Sequence, residues 1–145
     1  MPPREFAIPT SSLGHSLGLR VQSREALIAK IRRGLGFQAL SRLAGLLGVT
    51  EVQLAKALSI RPRTLARRKA SGTLQADESD RLVRLALLFE EAIWLFEGDE
   101  VQAARWFTSP QRALGGAPPL AYADTEPGVL EVYELLGRIE YGILS

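Results

Sequence analysis

The chain has 145 residues, of which 46% are hydrophobic: the size of one compact domain or two very small ones, with enough apolar material for a core. It holds no cysteine and one histidine, His15, which excludes disulfides and thiolate metal sites and argues against any metal centre. The net charge of +2 hides a split, because residues 1–75 carry 13 Lys and Arg against 3 Asp and Glu, while residues 76–145 carry 5 against 13. A basic half suits nucleic acid and an acidic half suits a partner of another kind.

In chain order, residues 1–22 mix Pro, Gly and Ser with little periodicity and read as a mobile N-terminal arm. They lack the charged and apolar regions of a signal peptide, and no apolar run is long enough to span a membrane. A cytoplasmic protein is expected. Ser23 then caps a helix whose Leu27, Ile28 and Ile31 share a face, with Gly34 as its end. Leu40, Leu43, Ala44 and Leu47 mark a second helix that stops at Gly48. Thr50 caps a third, with Val52, Ala55 and Leu58 on one face. Pro62 opens a fourth at the first helical position, where proline's missing N–H costs nothing.

Residues 71–76 form a short connection. The stretch that follows, "DESDRLVRLALLFEEAIWLFEG", predicts a helix of about five to six turns. Leu82, Leu85, Ala86, Phe89, Ile93 and Phe96 form one stripe. Leu87, Leu88, Trp94 and Leu95 spill onto other faces, so the helix calls for cover on more than one side, from a second subunit if not from the chain itself. Residues 99–107 read as another helix, and "LGGAPPLAYADTEPG" as irregular. Thr125 caps a last helix that buries Val129, Val132, Tyr133, Leu136 and Ile139 and ends at Gly142. Nothing alternates as a strand would. The expected fold is all-α, with a helix-turn-helix domain over 23–75 and a helical domain for dimerisation and partner binding over 76–145.

The basic run "IRPRTLARRKASG" sets five cations in nine positions with no acid among them. In "VQLAKALSIRPRTLARR" the packing slots of a helix-turn-helix are filled: small Ala55 between the helices, Ile60 at the turn, Leu65 beneath the second helix. That leaves Arg61, Arg63, Thr64, Arg67, Arg68 and Lys69 for DNA. The planar fork of arginine can bond guanine O6 and N7 together, and phosphates take the remaining cations. Two positions depart from the usual pattern. Ser59 stands where the turn favours glycine, and Arg68 stands where the last packing slot is apolar.

Other residues invite chemistry less. Asp77, Glu78 and Asp80 sit in the first turn of a helix, where acids complement its dipole. Gly115-Gly116 has no Lys-Ser or Lys-Thr after it and is no phosphate loop. No nucleophile is paired with a base, so neither an enzyme nor a cofactor is expected.

Two stretches carry a resemblance. "TLARRKASGTLQADESDRLVRLA" resembles the middle of the Xre/MbcA/ParS antitoxin family, and "ARWFTSPQRALGGAPPLAYADTEPGVLEVYELLGRIEYG" resembles its C-terminal toxin-binding region. The shared pattern is Trp106, Pro110, Leu114-Gly115-Gly116, Pro119-Leu120, Thr125 with Gly128, and Tyr141-Gly142. The resemblance implies an antitoxin that covers the active-site entrance of a RES-domain toxin, an enzyme that depletes NAD, and that represses the shared operon. Trp106, Leu114, Pro119, Leu120, Tyr141, Ile143, Leu144 and Ser145 are then the expected toxin-binding residues. The tail is expected to present Ile143, Leu144 and the Ser145 carboxylate to the toxin's pocket. The expected partners are the toxin, operator DNA and a second copy of the chain. A stand-alone repressor whose C-terminal half only dimerises is the alternative.

Overall fold

The computed structural model describes residues 13–140. These residues form eight α-helices: α1 (Arg24–Arg33), α2 (Phe37–Leu47), α3 (Glu51–Ala57), α4 (Pro62–Ser71), α5 (Ala76–Leu95), α6 (Glu100–Phe107), α7 (Pro119–Tyr122) and α8 (Glu126–Glu140). Among the described residues there is no strand, only one isolated antiparallel bridge between Gly36 and Thr73. The fold is all-α.

The helix boundaries follow local chemistry. Ser23 Oγ accepts from the Ala26 N–H at 3.1 Å. Thr50 and Gln53 cap α3 reciprocally, the Thr50 hydroxyl accepting from the Gln53 N–H and the Gln53 amide oxygen from the Thr50 N–H. Pro62 is the first residue of α4. The Thr125 hydroxyl accepts from the Gly128 N–H at the start of α8. The stretch expected to be irregular holds two tight pieces, a 3-10 turn at Arg112–Leu114 and the one-turn α7. Pro118 sets the extended entry and Pro119 the first helical φ, so proline here starts a helix instead of preventing one.

One apolar core runs from Leu13 to Leu136. Its axis is α5, which packs against α1 and the N-terminal turn as well as against α6 and α8. This accounts for the near-continuous apolar surface of α5. Leu88 is fully buried and Leu95 partly so, which leaves Leu87 half-buried and Trp94 exposed at 51%. Most of the cover that the sequence demanded comes from the chain itself.

The N-terminal segment differs from expectation. Residues 1–12 lie outside the described residues, but 13–22 are no loose arm: Leu13, Leu17 and Val21 are buried in the core. A 3-10 turn at His15–Leu17 is held by Glu90 of α5. The Gly14 N–H donates to Glu90 Oε1 at 2.8 Å, the Ser16 N–H to Oε2 at 3.0 Å, and the Ser16 hydroxyl also to Oε2. The His15 Nδ1 stands 3.7 Å from Oε1. Glu90 is fully buried, and its carboxylate is tolerable there because donors surround it.

Candidate nucleic-acid interface and partner-binding surface

Helices α3 and α4 pack through the residues that the sequence pattern assigns to that task. Leu54, Ala55, Leu58, Ile60 and Leu65 are all buried. The chain reverses at Ser59, which adopts a left-handed φ of 58°. This is why glycine is usual here, and serine occupies the position at a steric cost. The turn is closed by the Ile60 N–H donating to the Ala55 carbonyl at 2.8 Å. Arg81 of α5 braces it from outside, its Nε donating to the Leu58 carbonyl at 2.8 Å.

The six residues assigned to DNA separate into three groups. Arg61, Arg63 and Arg67 are exposed and pair with no acid among the described residues. Arg61 stands at the N-cap of α4 and Arg63 in its first turn. Thr64 is half-buried on the flank. Arg68 turns back toward the protein, and its Nε donates to Glu78 Oε1 at 2.8 Å. Glu78 is buried and its Oε1 also accepts from the Gln75 N–H, so one carboxylate caps α5 and anchors α4. The charge at a nominally apolar slot is thus answered by a partner from α5. The Lys69 ammonium lies 2.9 Å from Glu51 Oε1, and the other oxygen of Glu51 accepts from the Ser41 hydroxyl. The Ser41 bond, reinforced by Lys69, holds the Glu51 carboxyl below its ordinary value.

Sequence reasoning missed Lys56. It is exposed and lines an open groove of about 520 Å³ with Val52, Ser59, Arg61 and Pro62, beside the N-terminus of α4. Its position three residues before the left-handed turn is the signal that was available. The groove brings Lys56 and Arg61 to one concave edge, where a phosphate chain passing the helix start would meet two cations and a hydroxyl.

The C-terminal half is built on aromatic packing. Phe107 stacks obliquely on Phe89 of α5 with centroids 5.6 Å apart, and Trp106 lies 6.3 Å from the ring of Phe96. The Gln111 side-chain amide donates to the Trp106 carbonyl at 3.0 Å and fixes the exit from α6. Leu114, Pro119 and Leu120 are buried and Trp106 is partly buried, so these four shape the interior of this half. Tyr141, Ile143, Leu144 and Ser145 lie outside the described residues. Gly128 is fixed by close approach: a Cβ there would stand 2.0 Å from the Tyr122 carbonyl oxygen. That contact sets α8 hard against α7 and leaves a shallow groove of about 350 Å³ lined by Ala117, Ala121, Tyr122, Asp124, Pro127 and Glu131. Leu130 is 59% exposed on α8, and Glu126, Glu131 and Glu134 are exposed on the same helix.

A left-handed turn flanked by buried Leu58 and Ile60, a second helix whose outer arginines pair with no acid among the described residues, and a separate acidic surface built on aromatic packing define a helix-turn-helix protein with an appended helical module. Residues 26–87 match the model of the antitoxin Xre-like helix-turn-helix domain, and residues 91–142 match that of the antitoxin Xre/MbcA/ParS C-terminal toxin-binding domain. The chain belongs to the Xre/MbcA/ParS antitoxin family. It is 30% identical over 140 residues to an antitoxin Xre of Yersinia enterocolitica, covering 96% of this chain and 95% of that one. It is 32% identical over 139 residues to an antitoxin Xre of Photorhabdus laumondii, covering 95% and 94%. A Prs ADP-ribosylating antitoxin of a Sphingobium species is 28% identical over 127 residues, covering 81% of this chain and 80% of that one. Among the described residues no helix is long and apolar enough to cross a membrane.

Proposed function

We propose that this antitoxin binds and blocks a RES-type toxin that consumes NAD, and that it represses its own operon through α4. The observation that carries the DNA half is the outer surface of α4, where Arg61, Arg63 and Arg67 have no acidic partner among the described residues while Arg68 and Lys69 nearby are neutralised. Cations left unpaired on a helix-turn-helix are suited to a polyanion. Lys56 adds a phosphate contact. Arg68 and Lys69 keep their place in the interface as charges that align α4.

The toxin half rests on the match of residues 91–142 to a toxin-binding domain. An enzyme that binds NAD must hold a pyrophosphate and offers cations or N–H donors at its pocket. The exposed Asp124, Glu126, Glu131 and Glu134 complement such a rim, with Leu130 as an apolar anchor. ADP-ribosyl transfer also consumes NAD, so the name of the Sphingobium relative fits a partner of this chemistry. The roles of Tyr141, Ile143, Leu144 and Ser145 at the mouth of the toxin are read from the sequence alone. In this reading residues 23–75 serve DNA and 76–145 serve dimerisation and the toxin.

The test is co-expression with the product of the neighbouring gene, reading cellular NAD and recovery of a heterocomplex. Protection of NAD together with a stable complex is the expected result. Removing residues 141–145, or replacing Leu130 with Asp, should each restore NAD loss while leaving operator binding intact. A chain that binds DNA but recovers only itself would instead be a stand-alone repressor. For the DNA half, Arg63→Ala should weaken operator binding by about 1–3 kcal/mol if it makes a paired contact to a base. Unchanged affinity after replacing Arg63 and Arg67 together would remove α4 from the interface.

A further inference from the structure

The exit from α4 is fastened to the loop between α1 and α2. The Phe37 N–H donates to the Gly72 carbonyl at 2.9 Å, the Leu74 N–H donates to the Leu35 carbonyl at 2.8 Å, and Gly36 and Thr73 form the antiparallel bridge between them. Gly34 belongs to the same contact. It holds a φ of 86°, and a Cβ on it would stand 2.3 Å from the Leu74 carbonyl oxygen, an approach open only to glycine. The last residue of α1, Arg33, directly precedes Gly34, so the C-terminal turn of α1 is fixed beside the C-terminal end of α4.

That turn carries Lys30, Arg32 and Arg33. Leu27 is the buried residue of α1, and at about 100° per residue Arg32 and Arg33 fall about 140° and 120° from it on opposite sides. Both are exposed, and neither pairs with an acid among the described residues. A helix dipole favours cations in any last turn. Helix α4 ends in the same way with Arg68 and Lys69, but Glu78 and Glu51 answer those two. Between Glu25 and Asp77 the sole acid is Glu51, which Lys69 occupies. The first acids of α5 are engaged as well, Asp77 with Arg81, Glu78 with Arg68 and Asp80 with Arg84. The surface where α1 meets the end of α4 therefore keeps its positive charge.

We propose that Arg32 and Arg33 form a second phosphate-binding cluster, which grips the DNA backbone at the end of α4 opposite to Lys56 and Arg61. The inference rests on the reading of α4 as the DNA-contacting helix. With 10 residues α4 is about 15 Å long, and the major groove of B-DNA is about 12 Å wide, so a helix of this length set in the groove brings both its ends to phosphates. Its N-terminal end has the groove with Lys56 and Arg61. At its C-terminal end its own cations are neutralised, and α1 supplies the free charge in their place. An arginine fork matches two phosphate oxygens, and contacts of this kind fix register and orientation without reading bases. Duplex DNA is the partner that fits, because the acid-free surface is continuous with the outer surface of α4.

The test uses the full chain with Arg32→Gln and Arg33→Gln together, which keeps helix propensity close to that of wild type. Affinity for the duplex upstream of its own gene, and for an unrelated duplex, is measured across a salt series. The slope of log affinity against log salt should fall by about 1.8, since each phosphate contact contributes about 0.9. Both duplexes should weaken by the same factor, so the preference between them stays as in wild type. A control pair, Arg105→Gln with Arg112→Gln, removes the same charge from the other half of the chain and should leave the slope as it was. An unchanged slope in the Arg32/Arg33 variant, or an equal loss in the control pair, would overturn the inference. Loss of the toxin complex with the slope intact would assign this surface to the toxin and overturn it too. The wild-type protein supplies a reading that does not depend on a variant folding. Neutral methylphosphonates placed one at a time should weaken binding on both sides of the bases that α4 protects, and an effect confined to one side would contradict the second cluster. Wild-type binding that depends neither on salt nor on Arg63 and Arg67 would remove the α4 reading itself.

Discussion

At Ser59 and at Glu90 the chain accepts a local cost. Ser59 holds a φ of 58°, a region that disfavours any side chain, to bring α3 and α4 together. Ser59→Gly should raise unfolding stability by about 0.5–1 kcal/mol, less than the full steric relief because glycine also frees the unfolded chain. Chemical denaturation measures it, and a loss of stability would show that the Ser59 side chain contributes something the backbone argument omits. Burial raises the Glu90 carboxyl above its ordinary 4.5, against the opposing hydrogen bonds from Ser16 and Gly14 and the nearby His15 ring. Below pH 4.5 the group is protonated in both folded and unfolded chains. As pH rises the unfolded chain releases its proton first, so this residue's contribution to stability declines until the folded value is passed. The stability of wild type relative to Glu90→Gln should therefore fall with rising pH across that window, and a flat difference would contradict the assignment. Only one of these residues was visible in the sequence. Ser59 stood out because a turn has a local rule. Glu90 did not, because the residues it holds are 74 and 76 positions away and nothing in a run of 90s carboxylates marks one as buried.

Among the elements, the helix ends were the most legible part of the fold, since Ser23, Thr50, Pro62, Thr125, Gly34 and Gly48 act within one turn of their own backbone. What the charge run could not disclose was direction. Arg67 and Arg68 are neighbours of the same type, yet one faces solvent and the other reaches Glu78, a difference fixed by where the first turn of α5 places Glu78. The buried positions of Leu114, Pro119 and Leu120 were likewise hidden, because an apolar residue in a turn reads equally as core or as contact. The two roles of arginine in α4 are separable by experiment. Arg68→Ala should lower the melting temperature by uncovering the buried Glu78 carboxylate, while the order of preference among DNA sequences stays as in wild type. A changed base preference with unchanged thermal stability would put Arg68 among the base-reading residues.

For the molecule as a whole, one helix-turn-helix addresses only a few base pairs, so two copies on related half-sites are expected, spaced by about one DNA turn or a multiple of it. The exposed Trp94 and half-buried Leu87 share a stripe of α5 with Arg84, whose Nε is buried without a hydrogen-bond partner among the described residues. That stripe is the expected contact between copies. Trp94→Asp should shift the protein from dimer to monomer in sedimentation and weaken binding to a paired site far more than to a single one. A wild-type chain that sediments as a monomer at micromolar concentration and still holds a single half-site tightly would rule the arrangement out.

Helix α5 carries a constraint on how such a protein can change over generations. Its first turns anchor α4 through Glu78 and the α3 turn through Arg81, while its last turns form the bed on which α6 and α8 lie. The two matched regions meet inside it, between residues 87 and 91, with no linker to absorb a misfit. Inserting or deleting a single residue there would rotate one half against the other by about 100°, like a shaft keyed at both ends and cut between. Exchange of toxin-binding modules among relatives is then free to vary side chains but bound to preserve helical phase, so recombinants joined at this point should survive only when the length of α5 is conserved.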